Sequence, residues 1–398
     1  MPTLDELRRT PNVLAPLYSQ FRVSERLLLT GHSHQAWPDR GFDGQCQAWR
    51  DAATLVDEKW EAAFAKAERV RRGLARWLDD PGGTIALGEN THDLIVKFIS
   101  GLPLRERPRL VATDGEFHTI RRQLDRLEEE GVEIVRVPAL PAGTAAERLS
   151  QTVTERTAAV FVSAVLFRNA HIVPGLGELS AACRRVGAEL LVDVYHSTNV
   201  VPFSVRDANL QDVYVVGGGY KYCQFGEGVG FLRMPGDCAL RPVVTGWFSE
   251  FGTMADAKPD HRVSYGVGPA RFASGTYDPT SHYRAAEVLD FLDDEGLTPE
   301  FLRRVSQHQV GFLSRCFDDI DADPAVIDRD RSVPLESVGG FLALMAPRAE
   351  ELCRSLRERG VMTDYRADIL RLGPAPYLSD AQLTDAMGAL GSAVRGLS

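Results

Sequence analysis

Two segments of the chain carry residue types suited to covalent chemistry. VDVYHSTNVVPF places Asp193 at the carboxyl end of an apolar, β-rich run, and VVGGGYKYCQFGEG places Lys221 just past the next one. In an open α/β sheet, ligands gather in the crevice outside the carboxyl ends of the strands, so both residues point to one crevice. An amine there can condense with a carbonyl, and a carboxylate can keep a heteroaromatic nitrogen protonated. Most lysines are solvated surface charges. A lysine between two apolar strands and after three glycines is a different case, because glycine lets backbone approach a ligand closely. A dinucleotide loop is a poor rival: GGGYKY lacks the GxGxxG spacing and no helix pattern follows at once.

Lysine and carboxylate are the two protein groups that pyridoxal 5′-phosphate requires above all, and the remaining needs of that cofactor have candidates too. His196, three residues after Asp193, either orients that carboxylate, contacts the cofactor ring, or is a satisfied half-buried histidine. A phosphate needs backbone N–H groups at a helix start. LGENTHDLIVKFIS offers Asn90 and Thr91 where a strand gives way to a helix, a place where an ordinary N-cap is the plainer alternative. In ATDGEFHTIRRQ, Phe117 lies flat on the ring or fills the core. The stretch GHSHQAW makes His32 and His34 candidates for a polar substrate contact. Two clustered histidines with no acidic partner make a metal site a poor expectation, and none is assigned.

The elements that must position these residues alternate. Expected strands are TIALGE (84–89), RLVATD (109–114), EIVRVP (133–138), AAVFVSAV (158–165), ELLVDVY (189–195), DVYVVGG (212–218) and GVGFLRM (228–234). Amphipathic stretches lie between most of them: Thr91–Leu102, Thr119–Glu130, Ala145–Thr154 and Gly177–Val186. Such alternation implies an α/β fold with a mostly parallel seven-stranded sheet and flanking helices. The last two runs are close together, so one strand there is expected to be antiparallel. Helical patterns over Tyr283–Asp294 and Pro299–Ile320, then GGFLALMA, a helix near Arg348–Arg359 and a final strand DILRLGP, suggest a smaller α+β domain. The expected division is a large domain over 46–270 and a small one built from 1–45 and 271–398.

Composition narrows the classes. The 398 residues suit two domains, and the net charge of −10 argues against a nucleic-acid surface. No apolar run approaches the roughly 20 residues that cross a bilayer. The N-terminal MPTLDELRRTPNVL lacks the apolar core of a signal peptide, so a cytoplasmic protein is expected. The six cysteines are scattered without a CxxC pair, which indicates reduced thiols.

Together these segments resemble the aminotransferase class V group of fold-type I pyridoxal-phosphate enzymes, kynureninases most of all. The resemblance runs from about Leu28 to Tyr377 and is carried by DVYHSTNVVP, GGGYKYCQFGEG, GWF at Gly246–Phe248 and RGVMTDYRADILRLGPAP. It implies a Schiff base on Lys221, Asp193 on the pyridinium nitrogen with His196 beside it, Phe117 stacked on the ring, and Thr91 on the phosphate. It implies that Tyr220 touches the phosphate and assists proton transfer. It also implies that Arg371 clamps a substrate carboxylate, and that Trp247 reaches the neighbouring subunit's cofactor in a homodimer with sites at the interface. The chain departs from the kynureninase pattern at Ile120, at Leu166-Phe167-Arg168-Asn169, at Gly275 and Thr276, and in GHSHQAW, with Thr276 kept as a cofactor-binding candidate. The function implied is hydrolysis of the Cβ–Cγ bond of kynurenine or a related amino acid. The alternatives are a class V aminotransferase, a β-lyase on another amino acid, or a non-catalytic binding protein with the same fold. Desulfuration is not expected, because MTDYRADILRL has no cysteine where desulfurases carry theirs.

Overall fold

A computed structural model describes residues 1–253 and 261–397. The segment Thr157–Ser163 is buried along its whole length, which suits a strand with apolar layers on both sides. It belongs to a seven-stranded sheet of β1 (Thr84–Gly88), β2 (Arg109–Thr113), β3 (Glu133–Val137), β4 (Thr157–Ser163), β5 (Glu189–Asp193), β6 (Tyr214–Gly218) and β7 (Gly230–Met234). The spatial order is β1-β7-β6-β5-β4-β2-β3. Neighbours from β6 to β3 are parallel, and β7 runs antiparallel to both β6 and β1. All seven expected strands are present, and the expected antiparallel strand is β7.

Alternation along the strands divides the core. Val111, Val160, Val162, Val192 and Val215 belong to one apolar layer, and Leu110, Phe161, Leu191, Tyr214 and Val216 to the other. Full burial of such a side chain contributes about 1.5–3 kcal/mol. Helices Thr91–Ser100, His118–Glu129, Ala145–Thr152 and Leu176–Val186 make the crossovers, close to where periodicity puts them. β5 stops at Asp193, two residues before the expected end, because Tyr195 and His196 turn away from the ladder into the crevice.

A second sheet of four antiparallel strands lies near the C-terminus, in the order Asp364–Arg366, Ile369–Leu372, Leu342–Met345, Asp328–Arg329. Helices Pro299–Asp318, Ala349–Glu358 and Asp380–Arg395 accompany it. The N-terminal residues join it: Leu27–Leu28 pairs in parallel with Val361–Met362, and the Gly31 N–H donates to the Gly373 carbonyl at 2.8 Å. A Cβ on Gly373 would meet His32 Nδ1 at 2.1 Å, so glycine there lets the His32 loop lie against the Ile369–Leu372 strand.

Three long helices and the short Leu4–Arg8 were not legible. Asp39–Leu55 carries Gly41 and Gly44, which weaken a helix pattern, yet a Cβ on Gly44 would meet the Tyr283 carbonyl at 2.7 Å. The glycines serve a close crossing with Thr280–Asp294, against which Lys59–Trp77 also packs. The C-terminal helix has a clear start signal, Ser379 with Gln382 three residues on, forming a capping box.

Candidate active site

Lys221 lies three residues past the end of β6 and is 5 % exposed. Gly218 makes room beside it, since a Cβ there would come within 2.5 Å of the Tyr195 ring. The Lys221 Nζ is 2.8 Å from His196 Nε2 and 4.3 Å from the Tyr195 ring centroid, with the Phe117 ring at 5.3 Å. Burial drives the amine down to about 7; the Asp193 charge opposes that fall and Arg371 adds to it. Burial, then the Lys221 charge, holds His196 well below its ordinary value, so its imidazole is neutral. His196 Nδ1 is buried with no partner among the described residues, an orphan that a bound group can satisfy.

Asp193 closes β5 in register with Ser163 of β4. Its Oδ1 accepts the Tyr195 N–H at 2.8 Å. Burial raises its pKa, against the Tyr195 amide and the Lys221 charge, which favour the carboxylate. Next to it is a second buried acid, Glu116. Its Oε1 accepts from Thr113 Oγ1 at 2.6 Å and its Oε2 from Ser163 Oγ at 2.6 Å. Burial pushes Glu116 up to about 7, the hydroxyl donors hold it back, and Asp193 raises it further.

The third component is the start of helix Thr91–Ser100. Asn90 is its N-cap, with Oδ1 accepting the Asp93 N–H at 2.9 Å, and Thr91 Oγ1 donates to the Gly217 carbonyl at 3.0 Å. Both side chains thus bond to other protein groups, Thr91 buried and Asn90 at the surface, which leaves backbone amides as the anion-binding groups of this turn. A Cβ on Gly230 would meet the Thr91 nitrogen at 2.8 Å, so the helix start rests directly on β7.

These residues enclose a cavity of about 270 Å³. Seven expected site residues line it: Asn90, Thr91, Phe117, Asp193, His196, Tyr220 and Lys221. Five others stand outside its wall. His34 is exposed and stacks on Tyr220, with ring centroids 5.0 Å apart, and its Nε2 is 3.8 Å from the Glu227 carboxylate. His32 is fully buried and bonded to Asp364 at 2.7 Å. Arg371 is buried against the same Asp364, with Nε to Oδ1 at 2.8 Å and Nη2 to Oδ2 at 2.5 Å, while its Nη1 donates to the Phe167 carbonyl at 2.6 Å. Trp247 is half exposed, its ring 4.4 Å from that of Phe248. Thr276 lines an adjoining cavity of about 510 Å³ that shares Glu89 and Gly228 with the first.

Three contributors escaped sequence reading: Tyr195 lies under the Lys221 amine, Glu116 bonds to Thr113 and Ser163 beside Asp193, and Asp364 bonds to Arg371 and His32, which the sequence had singled out. Phe167, named only as a departure from the kynureninase pattern, packs edge-on to Phe117 at 5.3 Å. Tyr195 sits between Asp193 and His196, and Glu116 immediately before Phe117, so adjacency was an available signal for both. Asp364 gave none, because its bond to Arg371 depends on the pairing of two strands.

Comparison with known proteins follows the same lines. The family model described as aminotransferase class-V matches residues 55–309, and the kynureninase C-terminal domain model matches residues 328–390. An uncharacterized aminotransferase, YcbU, of Bacillus subtilis (strain 168) is 22% identical over 350 residues, covering 86% of this chain and 87% of that protein. A kynureninase of Bacillus cereus (strain ATCC 10987 / NRS 248) is 24% identical over 368 residues, covering 88% and 80%. The fold is similar to that of the cystine C-S lyase C-DES in complex with cysteine persulfide, with TM-score 0.79, 18% identity and coverage of 93% and 98%. It is also similar to an apo cysteine desulfurase from Thermococcus onnurineus NA1, with TM-score 0.78, 15% identity and coverage of 94% and 95%.

Proposed function

We propose, for a chain that belongs to the aminotransferase class V family, a kynureninase-like hydrolysis of an amino acid that carries a γ-carbonyl. The protein is a pyridoxal-phosphate-dependent enzyme acting on an amino acid. The residues present fit that cofactor: a buried amine, the orphaned His196 Nδ1, a carboxylate at a strand end and a helix start resting on Gly230. When bound, the cofactor supplies an aldehyde for the amine and an electron-accepting ring that stabilises a carbanion at the substrate's α-carbon.

The observation that carries the reading is the environment of Lys221. Its ε-amine is within hydrogen-bond reach of a neutral imidazole and is pushed down to about 7 by burial. A neutral lysine amine can attach a carbonyl and, once released, take the α-proton. Asp193 would hold the ring nitrogen's proton, and His196 would stand beside the ring. Phe117 and Tyr195, with rings 5.3 Å and 4.3 Å from the Lys221 amine, would offer aromatic faces to the ring, and the amides at Asn90 and Thr91 would receive the phosphate. Tyr220 is the proton donor when the Cβ–Cγ bond breaks. Arg371 serves the substrate carboxylate, and His34 and His32 belong to the substrate side. Trp247 and Thr276 belong to the contact with a second subunit, whose approach would close the adjoining cavity. The large unit over 46–270 carries the cofactor, and the small one, 1–45 with 271–398, carries Arg371.

The net reaction adds water to a γ-ketone and yields alanine and a carboxylic acid, an anthranilate if the substrate is kynurenine. Incubating holoenzyme with kynurenine and no keto acid, followed by mass analysis, tests it. Equal amounts of alanine and anthranilate support the reading, and unchanged kynurenine refutes it.

A second reading, transamination or β-elimination on another amino acid, is favoured by Ile120. That position, where the kynureninase resemblance implies an acid, holds an apolar side chain with no exposed surface. Turnover that demands a keto acid marks the transaminase. None of the six cysteines lines the cavity, which disfavours a persulfide-forming desulfurase.

A further inference from the structure

The side of the site that meets a substrate carboxylate contains two arginines and one internal acid. Asp364 and Arg371 face each other across paired strands. Asp364 accepts from Arg371 on both oxygens and from His32 on Oδ1, and its Oδ2 is 3.4 Å from Arg366 Nη2. Burial opposes ionisation of Asp364, but the His32 and Arg371 contacts outweigh it and hold the carboxyl well below the usual range. His32, buried and driven down to about 4, adds a donor but no charge at neutral pH. The cluster therefore sums to a single positive charge.

Burial differs sharply between the two arginines. The Arg371 side chain is 3 % exposed and engaged by Asp364 and Phe167, whereas that of Arg366 is 41 % exposed. The positive charge of Arg366 disfavours protonation of Lys221 and His196, so the charge is felt inside the cavity. The cavity wall itself includes the acids Glu89, Asp193 and Glu227 and, besides Lys221, no lysine or arginine among the described residues.

We propose that Asp364 is a specificity-determining residue: by occupying the Nε–Nη2 edge of Arg371, whose Nη1 is taken by the Phe167 carbonyl, it leaves the arginine pair the charge to hold one carboxylate, the substrate's own α-carboxylate, and so restricts the enzyme to amino acids with uncharged side chains. This rests on the reading of the site as an amino-acid site. A second carboxylate would meet acids on the wall and no uncompensated cation. Removing the Asp364 charge frees a buried fork whose geometry suits a carboxylate bidentately.

The test is a spectral titration of holoenzyme, read from the bound cofactor's absorbance, with L-alanine and L-aspartate. The wild type should bind L-alanine at least ten-fold more tightly than L-aspartate. Asp364→Asn should shift that ratio toward L-aspartate by ten-fold or more, with Asp364→Ser as the second variant should the amide disturb folding. Arg366→Gln should weaken L-alanine by about ten-fold with its thermal midpoint unchanged. A ratio within two-fold of wild type in both Asp364 variants overturns the proposal alone. So does L-alanine affinity untouched by Arg366→Gln. A wild type silent to all proteinogenic amino acids overturns it together with the reading beneath it.

Discussion

The ε-amine of Lys221 and the Nε2 of His196 are 2.8 Å apart, and burial is the largest influence disfavouring a proton on each. A cation on one raises the cost of a cation on the other, which the Asp193 charge only partly offsets at Lys221. The pair thus keeps a lysine in its nucleophilic form near neutrality.

The first prediction concerns pH. Lys221 is lowered from 10.5 to about 7, so its neutral form dominates above about pH 7. Capture of pyridoxal phosphate by apoenzyme should accelerate up to about pH 7 and then level off. Stopped-flow absorbance measures it; a rate still climbing toward pH 10 contradicts the assigned environment.

Asp193→Asn should retain a binding cavity and lose proton abstraction. The amide cannot hold the ring nitrogen's proton, so exchange of the α-proton of L-alanine with deuterium should fall by roughly 10²-fold or more, the scale on which positioned acid–base groups act. Proton NMR of the exchanged amino acid reads it, and exchange within a few-fold of wild type would sink the role.

Glu116 gives a stability signature. Its folded-state pKa is raised from 4.5 to about 7, so the folded state favours the proton. Its contribution is fully present below about pH 4.5 and is lost as pH rises through about 7, on the order of 3 kcal/mol. Glu116→Gln should remove that loss. Urea midpoints at pH 5 and pH 8 should therefore differ less in the variant than in the wild type; an equal difference refutes the assignment.

Gly230→Ala probes the phosphate cradle. The added Cβ would meet the Asn90 carbonyl carbon at 2.6 Å and must displace the helix start. Cofactor affinity should drop by ten-fold or more while the far-ultraviolet circular dichroism is kept, and unaltered affinity would place the phosphate elsewhere.

Much of this was legible in the sequence, for identifiable reasons. Strands buried on both faces announce themselves as apolar runs, and Lys221 and Asp193 follow such runs directly. Phe117 and Thr91 mark strand-to-helix passages, where chain direction is set locally. What was hidden depends on partners distant in sequence. Asp364 and Arg371 meet through strand pairing, Glu116 is fixed by Ser163 from another strand, and Gly44 reads as a helix breaker until Tyr283 is beside it.

The central claim is that one amine, at position 221, carries the cofactor. Borohydride reduction of holoenzyme, followed by proteolysis and mass mapping, tests it most directly. A single pyridoxyl-phosphate adduct on the peptide containing Lys221 is the expected result. An adduct on a different lysine, or an unmodified Lys221 in protein that remains yellow, would contradict the account.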